Sequence, residues 1–201
     1  MSRFTGPRLK VMRALGVTLP GLSRKSIEKR PTPPGQHGHA RKRTASEYAL
    51  RLKEKQKLRY HYGVNEGQLR RIAAEASRSK TNTAGKLVEL LERRLDNVLF
   101  RAGFARTIPA ARQLVTHGHI VVNGRRLSIP SARLRRGDIV GIAESGKVAV
   151  NLQRSVADEG MLKPDWLSVD DNALTATVSG LPEVTTVPFP FEPRLVVEFY
   201  A

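Results

Sequence analysis

The chain has no cysteine, which excludes disulfides and thiolate metal sites. Aromatic residues are scarce, with six Phe, four Tyr and one Trp among 201 residues. Stacking on a row of single-stranded bases is therefore not its main mode of contact. No run approaches the roughly eighteen apolar residues that a membrane span needs. The opening MSRFTGPRLKVMRALG has neither an apolar h-region nor an A-x-A site, so a secretory signal is not expected; with a single serine it does not read as a transit peptide either. Acids are few as well. Against 35 Lys and Arg stand 18 Asp and Glu, for a formal net charge of +17. Such an excess points to a polyanionic partner: nucleic acid, an anionic membrane surface or an acidic protein.

The charge is uneven. Residues 1–93 hold 22 Lys/Arg and 7 Asp/Glu, residues 94–140 hold 9 and 2, and residues 141–201 hold 4 and 9. A merely solubilising surface mixes both signs along its length. The partner is thus expected along the first 140 residues.

Residues 1–43 carry Pro7, Pro20, Pro31, Pro33 and Pro34, five glycines and one acid, Glu28. So many breakers and like charges leave little to bury, which predicts an extended basic arm that is mobile alone and orders against nucleic acid. Thr44 and Glu47 fit a capping box opening a helix to about Tyr62, with Gly63 after it. Its apolar residues scatter round the axis and give no clean face. Asn65 caps the next helix, where Leu69, Ile72, Ala73 and Ala76 fall at i, i+3, i+4, i+7, with Arg71 and Arg78 opposite. A third helix is expected from Thr83 to Ala102, with Glu89 and Arg93 pairing at i,i+4, a possible break near Arg93, and Asp96 on the polar side paired with Arg93.

Thr107 then caps a short helix to His117, with Pro109 in its first turn and Gly118 past its end. Ile108, Ala111, Leu114 and Val115 share one arc; Arg112, Gln113 and Thr116 face away. In HIVVNGRRLSIP, residues 119–130, Asn123-Gly124 between β-branched runs is a type I′ hairpin signal. It pairs Ile120 with Leu127 and Val122 with Arg125. Arg135 to Asp138 makes a further turn into a strand at Ile139. Strand signals are weak from about 143 to 185, and Leu195 to Tyr200 reads as an edge strand or docked tail.

No arrangement carries catalysis. Gly85-Lys86 lacks the first glycine and the Ser/Thr of a phosphate loop. His37-x-His39 and His117-x-His119 have neither cysteine nor a nearby carboxylate to complete a metal site. The chain is expected to be no enzyme and to hold no metal or cofactor. Structured RNA fits better, read by shape and backbone. Lys and Arg release counterions from phosphates, and Arg adds bidentate contacts. Candidate contacts in the arm are Arg3, Arg8, Lys10, Arg13, Arg41, Lys42 and Arg43. On the helices that follow they are Arg51, Lys55, Lys57, Arg59, Arg70, Arg71 and Arg78. Lys80, Arg94 and Arg106 join them, and the helix N-terminus at Thr107 offers free N–H groups.

Residues 94–138, RLDNVLFRAGFARTIPAARQLVTHGHIVVNGRRLSIPSARLRRGD, resemble the S-four RNA-binding domain. PPGQHG (33–38), SEYALRLKEKQKLRYHYGV (46–64), LLERRLDN (90–97) and the terminal VVEFY are similar, in the same order, to the bacterial and organellar small-subunit ribosomal protein S-four family. The resemblance implies an α+β fold: an extended arm over 1–43, a helical domain over 44–93 joined by the tail 174–201, and an S-four domain with antiparallel strands over 94–173. It implies a structural role on the small ribosomal subunit, with early binding to the 5′ domain of its rRNA at a multi-helix junction. It gives Arg112, Gln113, His117, Arg125 and Arg126 roles as RNA contacts. Ribosomal proteins S-five and S-three and the mRNA where it enters the subunit are implied partners, with an effect on decoding fidelity. A ribosome of the cytoplasm or of a plastid is the implied location, with no membrane contact. Many bacterial members carry a zinc-binding cysteine cluster in the arm; this chain has none, so the resemblance is to a zinc-free variant. Two S-four-domain rivals fit less well. A pseudouridine synthase needs a large catalytic domain after residue 140, and a stress protein of stalled large subunits has no need of the PPGQHG and EKQKLRYHYG segments.

Overall fold

The computed structural model describes residues 4–40, 44–79, 82–155 and 163–201, without the side chains of 152–155. It divides into two compact units. Among the described residues no helix is long and apolar enough to cross a membrane.

In the first unit, the residues up to Val88 join Val187–Ala201. Helix α1 (Arg8–Leu15) ends on Gly16 in the left-handed region, φ 66°. Met12 and Leu15 on α1, and Leu19 and Leu22 beyond it, are buried. This corrects the expected extended, coreless arm: the prolines interrupt helix but do not prevent burial of these four side chains. Arginines fasten the loops, Arg8 Nη1 donating to Leu22 O at 3.3 Å and Arg13 Nε to Thr32 O at 3.0 Å. Helix α2 (Glu47–His61) is capped by Ser46, whose hydroxyl accepts from Ala49 N at 3.3 Å; the expected cap, Thr44, lies outside the helix. Helix α2 packs against α1 and against α8 (Pro193–Tyr200). Long lysine stems serve it as apolar surface, so its buried face does not show in a count of apolar residues. Helix α3 (Glu66–Ser77) opens with an Asn65/Gln68 capping box and buries Leu69, Ile72, Ala73 and Ala76, as the spacing predicts.

The end of the chain is a docked helix, not an edge strand. Pro193 presets the first turn of α8, and Val196, Phe199 and Tyr200 fall at i, i+3, i+4. Lys55 Nζ lies 4.4 Å over the Phe199 ring, and Arg51 Nε meets Glu198 Oε2 at 3.1 Å. The Tyr200 hydroxyl donates to Glu66 Oε1 at 2.8 Å. Burial alone would raise the Glu66 carboxyl. Bonds from Tyr200 and Lys55 favour its ionised form and hold it below its ordinary 4.5. Tyr200 is pushed well up, first by burial and then by the Glu66 carboxylate. The lowered Glu66 value gives stability that is present above 4.5 and lost as pH falls through the folded value; the raised Tyr200 gives stability present below 10.0 and lost above it. Glu66→Gln is accordingly expected to lower the melting temperature at neutral pH, with the gap to wild type closing in acid. A gap of equal size below about pH 3 would show that the carboxylate charge plays no part.

The second unit runs from Glu89 to Thr186. The helix expected over 83–102 breaks near Arg93, where the sequence suggests it, into α4 (Thr83–Glu92) and α5 (Leu95–Arg101). Then come α6 (Ile108–Thr116), β1 (Ile120–Val122), β2 (Arg125–Arg126), β3 (Ile139–Ile142), α7 (Lys147–Ser155), β4 (Leu167–Asp170) and β5 (Thr175–Val178). All strand pairs are antiparallel, in the order β2-β1-β3-β5-β4. The helices cover a core that includes Leu99, Phe104, Leu114, Ile120, Val140 and Trp166. The weakly patterned segment 143–185 thus supplies α7 and the far two strands. Since β5 belongs to this sheet, the tail that joins the first unit begins at Val187 and not at 174. The fold is α+β.

Candidate nucleic-acid interface

Helix α6 is set by its cap. The Thr107 hydroxyl accepts from Ala110 N at 3.4 Å, and a proline stands in the first turn. Ile108, Ala111, Leu114 and Val115 are buried, while Gln113, Thr116 and His117 are exposed. Gly118, at φ 76°, turns the chain directly from α6 into β1. Asn123 and Gly124 have φ 50° and 80°, the conformation a type I′ turn requires. Val121 pairs with Arg126 and Val122 with Arg125, and Leu127 N donates to Ile120 O at 3.1 Å, the register read from the sequence. Arg126 does not simply project. Its Cδ lies 3.4 Å from where a Cβ on Gly118 would be, so its stem runs past the α6–β1 junction. The exposed polar end of α6, with Gln113 and His117, thus adjoins the exposed Arg125 and Arg126 of the hairpin.

Beneath it lies a buried ionic cluster. Asp96 is 0% exposed. Arg94 Nε and Nη2 bond its two oxygens at 3.0 and 2.8 Å, and Arg112 Nε and Nη2 both reach Oδ2, at 3.0 and 2.6 Å. This corrects the expected Asp96–Arg93 pair. Arg93 instead bonds Glu89 at 2.6 Å, as i,i+4 spacing predicts, and Leu134 O at 2.7 Å. Glu92 and Asn97, both fully buried, are joined by Asn97 Nδ2 at 3.0 Å, and Arg101 approaches Glu92 at 3.5 Å. Arg101 also donates to Thr186 O. The break between α4 and α5 is therefore flanked by charges that are ion-paired inside the unit.

The structure sorts the sequence candidates by exposure. Arg8, Lys10, Arg70, Arg71 and Arg78 are exposed in the first unit, and Gln113, His117, Arg125 and Arg126 in the second. Arg13, Arg51, Arg59, Arg106, Thr107 and Arg112 are half-buried. Lys55, Lys57 and Arg94 are buried and need correcting as open RNA contacts. Lys55 bonds Glu66 at 3.0 Å, Lys57 bonds Glu54 at 2.6 Å and Pro190 O at 3.3 Å, and Arg94 is spent on Asp96. Arg112 is also engaged by Asp96, so it is not the free surface side chain that its helical position predicts. Arg3, Arg41, Lys42, Arg43 and Lys80 lie outside the described residues. Arg135 and Arg136, read from the sequence only as part of a turn, stand exposed at its tip. Among the described residues no group of three or more His, Asp or Glu is placed to hold a metal ion.

Residues 3–92 match the Ribosomal protein S4/S9 N-terminal domain, and residues 93–140 match the S4 domain. Over its full length the chain is 53% identical to the small ribosomal subunit protein uS4 of Methylobacillus flagellatus, covering 98% of that protein. The chain belongs to the uS4 family. It is also 50% identical to the uS4 protein of Rippkaea orientalis, with 98% of that protein covered, and 45% identical to that of a Geobacillus species over all of its length. It is a structural protein of the small ribosomal subunit, and the surface built on α6 and the hairpin lies in its S4 RNA-binding domain.

Proposed function

We propose that this chain is a primary binder of small-subunit rRNA that nucleates assembly of the 5′ domain and contributes to translational fidelity. The observation that carries the reading is the exposed Arg125–Arg126 hairpin beside the exposed polar end of α6, in a chain similar throughout to uS4 proteins. RNA-contacting roles go to Gln113, His117, Arg125 and Arg126 in the S4 domain and to Arg8, Lys10, Arg70, Arg71 and Arg78 in the first unit, all exposed. Phosphates are neutralised by the arginines and lysines, and shape is read across a structured junction. Ribosomal proteins S-five and S-three and incoming mRNA complete the proposed surroundings.

The test is to add the chain alone to protein-free small-subunit rRNA and to an isolated 5′-domain fragment. Both should be bound without other proteins, and tagged chain should sediment with the small subunit. Binding that requires other proteins first would refute the nucleating role, and sedimentation with free large subunits would favour the stress-protein alternative. Arg126→Ala should weaken rRNA binding by about 1.5–3 kcal/mol, the cost of a charge-assisted phosphate bond. Its melting temperature should hold, because the guanidinium is exposed. Unchanged affinity would make the hairpin arginines ordinary solvated surface.

A further inference from the structure

Between Asp96 and Glu144 the sequence has a single acid, Asp138. It sits among Arg125, Arg126, Arg135 and Arg136, on a surface whose partner is a polyanion. Charge alone would exclude a carboxylate there. The structure gives it a different task. Asp138 Oδ1 accepts from Asn123 Nδ2 at 2.9 Å, and Oδ2 accepts from the Arg135 backbone N–H at 2.6 Å. Both oxygens are thus taken by uncharged donors, one from each of two neighbouring turns. Asn123 completes the link: its Oδ1 accepts from Ile139 N at 2.9 Å, and its own N–H donates to Ile139 O at 2.9 Å. On the other side, Gly137 N–H donates to Val178 O at 2.8 Å and Val178 N–H to Asp138 O at 3.0 Å. The Arg135–Asp138 turn is fastened to the hairpin by one side and to β5 by the other, while Arg135 and Arg136 remain exposed.

We propose that the Arg135–Asp138 turn is a second phosphate-contacting element of the S4-domain surface, and that Asp138 is a positioning residue that holds it in register with the Asn123–Gly124 hairpin. The inference rests on the rRNA-binding reading above. Two turns locked to each other present their arginines at a fixed spacing, which lowers the ordering cost of meeting two phosphates at once. The acid is tolerated because its charge is spent on backbone and amide donors.

The experiment measures affinity of the full chain for the 5′-domain rRNA fragment across salt, beside melting temperature, for wild type, the double variant Arg135→Ala/Arg136→Ala, Asp138→Ala and Asp138→Asn. The double variant should bind about tenfold or more weakly and flatten the salt slope by about two, one per lost phosphate contact. Asp138→Ala removes a negative charge, so a simple charge count predicts tighter binding; the positioning role predicts weaker binding, by about threefold or more. Asp138→Asn, which keeps one acceptor oxygen, should fall between. A loss of stability alone would not change affinity well below the melting temperature, so weakened binding there separates positioning from mere structural support. A double variant that binds like wild type overturns the turn as a contact, and an Asp138→Ala variant that binds as well or better overturns the positioning role. Wild type that fails to bind the fragment at low salt overturns the proposed function itself, and this inference with it.

Discussion

Replacing Asp96 with Asn is expected to lower stability by about 3–5 kcal/mol, the range for breaking one side of a buried ion pair. Asp96 is fully buried and serves two guanidiniums, Arg94 at 5% and Arg112 at 16% side-chain exposure. Asn keeps the shape, so no cavity opens. What disappears is the charge that makes burial of Arg94 tolerable. The effect should centre on the start of α5, where Leu95 N and Asp96 N also donate to Ala132 O and Pro130 O at 2.8 and 3.1 Å. Trp166, the only tryptophan, is buried in the same unit and gives a local fluorescence signal for urea unfolding. A variant within about 0.5 kcal/mol of wild type would show that the cluster is energetically neutral. The same geometry changes what Arg112→Ala would report: it unpairs Asp96, so lost RNA binding would come with lost stability. Arg126 is the cleaner probe of the surface.

Binding to rRNA should weaken by about 10³-fold or more as salt rises from about 50 to 200 mM, with log affinity falling linearly against log salt. That magnitude needs about six neutralised phosphates. Side chains on internal pairs, such as Lys55, Lys57 and Arg94, cannot release counterions on binding. Enough exposed cations remain among the described residues: Arg8, Lys10, Arg70, Arg71 and Arg78 in one unit, and Arg125, Arg126, Arg135 and Arg136 in the other. Filter binding or fluorescence anisotropy across a salt series measures the slope. A flat response would mean that the positive charge is solvated surface and that affinity comes from uncharged contacts.

What was legible in the sequence was what local chemistry decides. Asn65 caps its helix, Asn123-Gly124 dictates its own turn, and Leu114 and Val115 lie on the side that the helical period assigns. What was not legible depends on partners far along the chain. Nothing near Lys57 announces that Pro190 O will receive its ammonium, and nothing near Arg51 announces Glu198. A basic residue facing Glu66 or Asp96 reads the same, in sequence, as one facing phosphate. The three prolines of VPFPFEP suggest an extended path into the terminal LVVEFY; its docking against α2 and α3 favours the helix. Met12 and Leu19 were overlooked because breakers around them suggested that no core could form there.

The docking of α8 also imposes an order on synthesis. The first unit is made from both ends of the chain, whereas residues 89–186 form a unit of their own. A ribosome delivers the chain from its N-terminus, and domains generally fold as units while it does so. The S4 domain is thus complete in sequence before the first unit can close. Until Val187–Ala201 emerge, Lys57 lacks Pro190, Arg51 lacks Glu198, and the Phe199 ring is not there to cover Lys55. Until then each of these cations has only its local carboxylate, Glu54 for Lys57, Glu47 for Arg51 and Glu66 for Lys55, and the last fifteen residues add a second contact to each.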